Sequence, residues 1–303
     1  MNALLIIDKP AGLTSHDVVN RVRRILGEKS VGHLGTLDPL ATGVLPMVIG
    51  NLTRLAQFYS SSVKAYAGTI RFGFATDTYD SAGEAISPAQ NVSLSLEQVQ
   101  QLASQFQGMI EQTPPPFSAK KIQGVPAYKL ARKRIDVVLK PVQVEVQEFE
   151  ITEVENDRAR FRARVSSGTY MRSIAHEMGH QLGCGAHLES LRRTAVGEFE
   201  LSAAHTLEEL EVVSRSGDVE ELFVHPRRIL PEFPSVTATE EMLALICSGR
   251  AVNLPDLSQA RLVKVFRGQR ELVAIAARIA GTLFHPKIVL VEAANAAKAA
   301  ARR

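Results

Sequence analysis

The sequence is poor in what covalent or metal scaffolding would require. Its 303 residues hold two cysteines, Cys184 and Cys247, far apart and in no pair with metal-ligand spacing. At most one disulfide is possible, and both thiols read as small buried residues of a reducing compartment. No stretch approaches the ~20 apolar residues of a membrane span, and MNALLIIDKP lacks the basic and long apolar regions of a signal peptide. A cytoplasmic protein is therefore expected. His176 and His180 are four apart without the glutamate placement of HExxH, no GxGxxG opens a helix, and neither GxxxxGK[ST] nor GxSxG occurs. These gaps leave metal chemistry and nucleotide cofactors without support, and neither is expected.

What is present is an ordinary globular composition, 45% hydrophobic and 22% charged, with a net charge of +3 and a pI near 8.9. That charge permits a nucleic-acid partner without demanding one. Leu4 to Ile7 predicts a strand ended by the turn DKPAG. Ser15 is placed to cap a helix with Val18, Val19 and Val22 on one face and Arg21, Arg23 and Arg24 on the other. Val44 to Ile49 reads as a buried strand, and Tyr66, Gly68, Ile70 and Phe72 alternate as a half-buried one. Ser95 and Gln98 form a capping-box pattern. VQVEVQEFEITEV and RARFRARV flank Glu155-Asn156-Asp157 as an antiparallel hairpin with four arginines on one face.

SGTYMRSIAHEMGHQLG passes into a helix that Gly183 can end. PEFPSVTAT, residues 231 to 239, reads as a linker to a small β-rich module, and the Ala/Lys/Arg tail as frayed. The whole predicts an α+β main domain with a mixed, largely antiparallel sheet and flanking helices, spanning 1–230, then a module at 235–291 and a tail at 292–303.

Cations crowd one segment. Lys120, Lys121, Lys129, Arg132, Lys133, Arg134 and Lys140 face one acid, Asp136, behind the stiff lead-in TPPPF. Such a density neutralises phosphates with salt-dependent affinity, although a solvated surface excursion has the same composition. The arginines of 158–164, those of the first helix and Arg192-Arg193 point the same way.

The chemistry centres on GHLGTLDPLATGVLP, residues 32 to 46, where Asp38 sits between a Gly/Thr turn and Pro39. An ionised Asp on a stiff loop can be a nucleophile if something keeps it charged as it is desolvated, and an arginine does so. Arg172 is a candidate, since Gly168 and Thr169 suggest a close backbone approach ahead of it. An ordinary turn or capping Asp remains the alternative.

Five segments in order, DKPAGLTSHDVV, GHLGTLDPLATGVLP, KAYAGTIRFGFATDTYD, TPPPFSAKKIQGVPAYKLARK and SSGTYMRSIAHEMGHQLGCGAHLESLRRTAVG, resemble those of the bacterial tRNA pseudouridine-55 synthases, the TruB family. The resemblance is strong from residue 4 to about 200 and loose beyond. It implies a pseudouridine synthase fold, a PUA-like RNA-binding domain near 235–291, and conversion of one T-loop uridine of tRNA to its C-glycoside isomer without a cofactor. It makes Asp38 the catalytic aspartate, Tyr66 the stacking residue and proton acceptor, and Arg172 the arginine paired with Asp38. Tyr170 would pack beneath the base, Leu191 would read the uracil edge through its backbone, and His33 would enter the space left by the flipped nucleotide. Lys9 and Pro10 would underlie the site.

The basic insertion at about 116–141 (Lys120, Lys121, Lys129, Arg132, Lys133) would clamp RNA. One departure is Leu34, where the family carries Thr. By themselves Tyr66, Tyr170 and Leu191 are equally core residues, Arg172 a salt bridge and His33 a local hydrogen-bonding residue. A monomer without an obligate protein partner or membrane contact is expected. The rival readings are a guide-RNA-dependent pseudouridine synthase, a non-catalytic tRNA-folding chaperone and, more distantly, a carboxylate glycosidase, which needs a second catalytic acid.

Overall fold

The computed structural model describes residues 1–118, 120–122, 124–127, 130, 133, 139–254 and 260–291. Apolar alternation builds most of it. The strands β1 (Ala3–Lys9), β2 (Val31–His33), β3 (Thr42–Ile49), β4 (Lys64–Phe72) and β5 (Gly108–Gln112) come first, followed by a two-stranded ladder of β6 (Lys121–Ile122) and β7 (Val125–Pro126). Next are the hairpin β8 (Val142–Glu155) and β9 (Arg158–Val165), the central β10 (Ala186–Val196) and the short β11 (Phe199–Glu200). Nine of these form one sheet in the order β1-β3-β10-β4-β9-β8-β5, with β2 on β3 and β11 on β10. All its pairings are antiparallel except β10 with β3, which is the mixed, largely antiparallel sheet expected.

Helices cover one face. Helix α1 (Ser15–Leu26) buries Val18, Val19 and Val22; α2 (Leu96–Ser104), α3 (Met171–Gln181) and α4 (Leu207–Ser216) complete the layer. The cap of α1 is Thr14, not Ser15: Thr14 and Asp17 form a capping box. Ser15, as the first helical residue, turns inward to the backbone of Leu37. The basic face of α1 is not free either, because Arg21 pairs with Glu208 (3.2 Å) and Glu211 (3.6 Å) of α4. The β8–β9 hairpin turns at Asn156 (φ 54°); β9 alternates as predicted, with Ala159, Phe161, Ala163 and Val165 inside, whereas β8 changes phase at two irregularities, between Val146 and Glu148 and between Ile151 and Glu153.

The segment read as a linker contains a strand. β12 (Ser235–Thr237) pairs in parallel with β14 (Leu262–Arg267), and with β13 (Val252–Asn253), β15 (Glu271–Ala280) and β16 (Leu283–Val289) makes a second, five-stranded sheet. Helix α5 (Glu240–Cys247) packs on it. This sheet covers the other face of the first: Phe266, Leu272, Ile275, Ile288 and Leu290 share a core with Leu4, Ile6, Leu34, Val44 and Val48. Leu34 is therefore a packing residue of the layer behind the loop. Both cysteines are free thiols, and among the described residues no helix is long and apolar enough to cross a membrane.

Candidate active site

The loop from Leu34 to Ala41 is held from several sides. Ser15 Oγ accepts from Leu37 N (2.8 Å) and donates to Leu37 O (3.1 Å), which is why the first residue of α1 is buried. Lys9, with no exposure, donates through Nζ to Pro10 O (2.8 Å), Leu13 O (2.7 Å) and Pro39 O (3.3 Å). Gly12 N donates to Pro39 O as well (2.8 Å). DKPAG and the aspartate loop are thus one clamp. Burial pulls the Lys9 ammonium down to about 8, against the opposing charge of Asp38.

Asp38 meets Arg172 at the start of α3, Oδ2 lying 2.9 Å from Nε. The contact is Coulombic, since Nε makes no aligned hydrogen bond. Arg172 is 4% exposed while about a third of the Asp38 side chain remains open, and that part faces a protein-walled cavity. Burial consequently pushes the carboxyl above the usual carboxylate range; Arg172 opposes the rise and Asp80 adds to it. Arg172 is fixed on its other side by Thr78 O (3.1 Å), Phe117 O (3.1 Å) and Asp80 Oδ2 (3.5 Å). One cation is shared by two carboxylates.

Asp38, Tyr66, Tyr170, Arg172 and Leu191 line one cavity of about 260 Å³ with Lys64, Arg193 and the turn 166–169. That is below the roughly 300–1,000 Å³ of drug-sized sites, so it suits one base. Larger hollows exist, one of about 790 Å³ beside the N-terminus, but the carboxylate–guanidinium pair lines the smaller one. Gly168 (φ 91°) has nothing within 4 Å of where a Cβ would be, so a left-handed turn, not close packing, requires it. His33 does not line the cavity; it sits at the end of β2, partly buried, with Nδ1 unpartnered. Burial lowers its imidazole, with Arg193 and His16 adding.

Several residues that carry the site are not among the candidate site residues named from the sequence. Asp80 lies in ATDTYD, where nothing distinguishes it from Asp77. Gln112 exchanges two hydrogen bonds with the Tyr170 backbone (2.8 and 3.1 Å) and sets the start of α3. Arg193, 1% exposed, donates to Val44 O (2.8 Å), Gly35 O (2.9 Å) and Thr36 O (3.2 Å). Strand period would have found it: Leu191 and Arg193 share a face of β10 and Arg192 takes the other. Arg192 pairs outside with Asp8 (2.6 Å). On β9, Arg160 pairs with Glu153 and Arg158 with Glu189. Five of the arginines expected to converge on RNA are thus dispersed among surface pairs, a helix contact and the core, while Arg24, Arg162 and Arg164 stay exposed. Lys120 and Lys133 are exposed and Lys121 lies in β6; Lys129, Arg132 and Arg134 fall outside the described residues.

The sheet brings an aspartate loop, a strand tyrosine and a helix arginine to one pocket, as the resemblance implies, and the comparisons put the chain among the pseudouridylate synthases. Residues 23–171 match the TruB family pseudouridylate synthase (N terminal domain), and residues 172–231 the tRNA pseudouridylate synthase B C-terminal domain. The "tRNA pseudouridine synthase B" of Solibacter usitatus is 50% identical over 96% of this chain and all of that protein; the one from Aquifex aeolicus is 37% identical over the same shares. A solved Cbf5-Nop10-Gar1 complex contains a chain with a TM-score of 0.70 at 25% identity, covering 96% of this chain and 86% of its own. The chain belongs to the TruB family. It is an isomerase that makes pseudouridine in RNA.

Proposed function

We propose that the pocket accepts the T-loop uridine of tRNA at position 55, flipped out of its stack, and that Asp38 drives rupture of the N1–C1′ bond. Arg172 holds the carboxylate ready. Tyr66 stacks on the uracil and takes the C5 proton after the ring has turned and C5 has joined C1′. Tyr170 supports the base, Leu191 meets its edge, Lys9 anchors the loop, and neutral His33 fills the vacated space. Flipping costs a few kcal/mol, which stacking and phosphate contacts offset. The observation that carries this reading is the 2.9 Å Asp38–Arg172 contact opening into a base-sized cavity shared with Tyr66.

The division of labour follows the same reading. Residues 1–230 form the catalytic unit, with the insertion at about 116–141 clamping RNA through Lys120, Lys121, Lys129, Arg132 and Lys133. The five-stranded module at 235–291 serves as a PUA-like second RNA contact, and 292–303 is a tail. The enzyme acts as a cytoplasmic monomer on tRNA. Asp38→Asn is expected to abolish conversion of a T-arm transcript, followed by tritium release from 5-tritiated uridine, while tRNA affinity stays within a few-fold of wild type. An active Asp38→Asn enzyme would remove the proposed role.

A further inference from the structure

The cavity holds more positive charge than its carboxylates account for. Arg172 is committed to Asp38 and Asp80. Lys9 lies beneath the loop and does not line the cavity. Arg193 does line it, and no carboxylate among the described residues comes within ion-pair distance of its guanidinium. An unpaired buried cation is costly, and a fold that needed only three carbonyl contacts could satisfy them with neutral donors.

Donor arithmetic sharpens the point. A guanidinium has five N–H groups; Nε, Nη1 and Nη2 each use one on Val44, Thr36 and Gly35. Two remain without an aligned acceptor among the described residues, one on each terminal nitrogen, with the Tyr66 phenol as the side chain near enough to engage them. The backbone beside them turns at Gly35 in the left-handed region (φ 107°), where a Cβ would stand in contact with Arg193 Nη1 (3.6 Å) and Lys64 Cε (3.7 Å). Across the sheet Arg193 is in register with Tyr66, and its guanidinium is close enough to feel both Tyr66 and Asp38. A base stacked on Tyr66 would lie within its field.

The reaction creates a charge of the opposite sign. When N1–C1′ breaks, the bonding pair stays on N1 and uracil becomes an anion delocalised onto its carbonyl oxygens, while the deficiency at C1′ is met on the Asp38 side. C5 then bonds to C1′ through the C5=C6 pair, which discharges the deficiency at C1′, while the pair on N1 moves into an N1=C6 bond. The C5–H bond breaks, its proton goes to Tyr66, its electrons form C5=C6, and the N1=C6 pair returns to N1, which takes up a proton. Tyr66 hands its proton to water, so no net proton is consumed. Between the first and second bond events the uracil anion must be held in place.

We propose that Arg193 is a catalytic residue that receives the negative charge of the detached uracil, its two remaining N–H groups and uncompensated cation stabilising the anion while it turns. This rests on the reading of the pocket as the uridine site. Preorganised donors aimed at developing charge are worth about 10²–10³-fold in rate when one is removed.

The test uses the full chain and two T-arm transcripts, one with uridine and one with 5-fluorouridine at the target. Fluorine stabilises the uracil anion, so that substrate depends less on the enzyme's cation. Consumption of the target nucleoside is measured in single turnover. Arg193→Gln is expected to slow uridine by about 10²–10³-fold and 5-fluorouridine at least ten-fold less, with transcript affinity retained; Arg193→Lys falls between. Equal slowing of both substrates would overturn the proposal, since a structural role cannot tell them apart. If Arg193→Gln does not fold, Arg193→Lys carries the same comparison. Asp38→Asn should stop both substrates; if it does not, the reading of the pocket has failed, whatever Arg193 does.

Discussion

Asp38 is useful only as a carboxylate, yet burial favours its protonated form and Arg172 works against that. The rate should therefore have an acid limb above the ordinary carboxylate range, and the two partners of this network should move it in opposite directions. Arg172→Met removes the cation that lowers the Asp38 carboxyl, so the limb shifts to higher pH. Asp80→Asn removes a charge that raises it, so the limb shifts lower, while the rate drops because Arg172 loses an anchor. Single-turnover rates between pH 4 and about 7, spanning the carboxylate range, check both signs. Limbs moving together would mean that the shared cation is not what sets the charge on Asp38.

Lys9 gives a second pH dependence of opposite sense. Its ammonium ties Pro10 and Leu13 of its own turn to Pro39 of the aspartate loop through three N–H bonds and titrates near 8. A neutral amine has only two hydrogens, so the rate should decline as pH rises through about 8. Stability runs the other way. The folded value lies below the unfolded 10.5, so the unfolded chain binds more protons between the two and the unfolding free energy gains with pH across that window. Rate and urea-melt profiles from pH 7 to 10 test the pair of trends. Lys64, which lines the pocket and is likewise pulled to about 8 by burial and then Arg193, adds to the stability term.

At the scale of elements, the loop after β4 is under visible strain. Tyr79 has a φ of 64° in a residue other than glycine, and its ring stacks on His176 of α3 at 3.7 Å and 10°. Its neighbours Thr78 and Asp80 both hold Arg172, and His176 is one helical turn beyond Arg172. Left-handed backbone in such a residue costs about 1–3 kcal/mol, and an aromatic stack recovers about 0.5–1.5 kcal/mol. Tyr79→Gly should accordingly leave thermal stability nearly unchanged while lowering the rate by about 10-fold, short of the roughly 10²-fold of a 1 Å misplacement. His176→Ala should lower the rate similarly and also destabilise, because the strain then stays without the stack. Unaltered rates in both would detach this loop from Arg172.

Taken whole, the molecule is a large sheet with a core on each face, α1 to α4 covering one and the C-terminal sheet part of the other. The second layer is fastened by buried polar groups. Lys264, 1% exposed, donates to Arg227 O (2.9 Å) and Ile229 O (2.8 Å), and Tyr59 donates to Glu198 (2.7 Å), which also accepts from Leu230 N. With so many arginines already paired, RNA affinity has to draw on exposed cations such as Lys120 and Lys133. Affinity for tRNA should fall linearly with salt on logarithmic axes. Replacing Lys120 and Lys133 together by Ala should flatten that slope by about 0.7–0.9 for every phosphate no longer neutralised. Filter binding between 50 mM and about 300 mM salt measures it; an unchanged slope would remove these two lysines from the interface.

Local order reached far here because period and capping are written in neighbours. The alternation of 158–165, the capping box at Ser95 and the helix after Tyr170 depend on residues a few positions apart, and each folds as that pattern requires. The helix-start misreading at Ser15 and the strand hidden in 231–239 have another cause. Ser15 is claimed by Leu37, and Ser235–Thr237 by β14, partners that no local window contains. The site divides in the same way. The aspartate loop, its lysine turn and the tyrosine strand were legible as segments with a chemical purpose. That Arg172 is shared with Asp80, that Arg193 is buried with no counter-ion among the described residues while Arg192 faces outward, and that Arg158 and Arg160 of the basic strand are ion-paired were settled only when distant strands came into register. Sequence alone determined which side chains could do the chemistry. The tertiary structure decided which charges remain uncompensated, because pairing acts through space over a few ångströms and takes no account of separation along the chain.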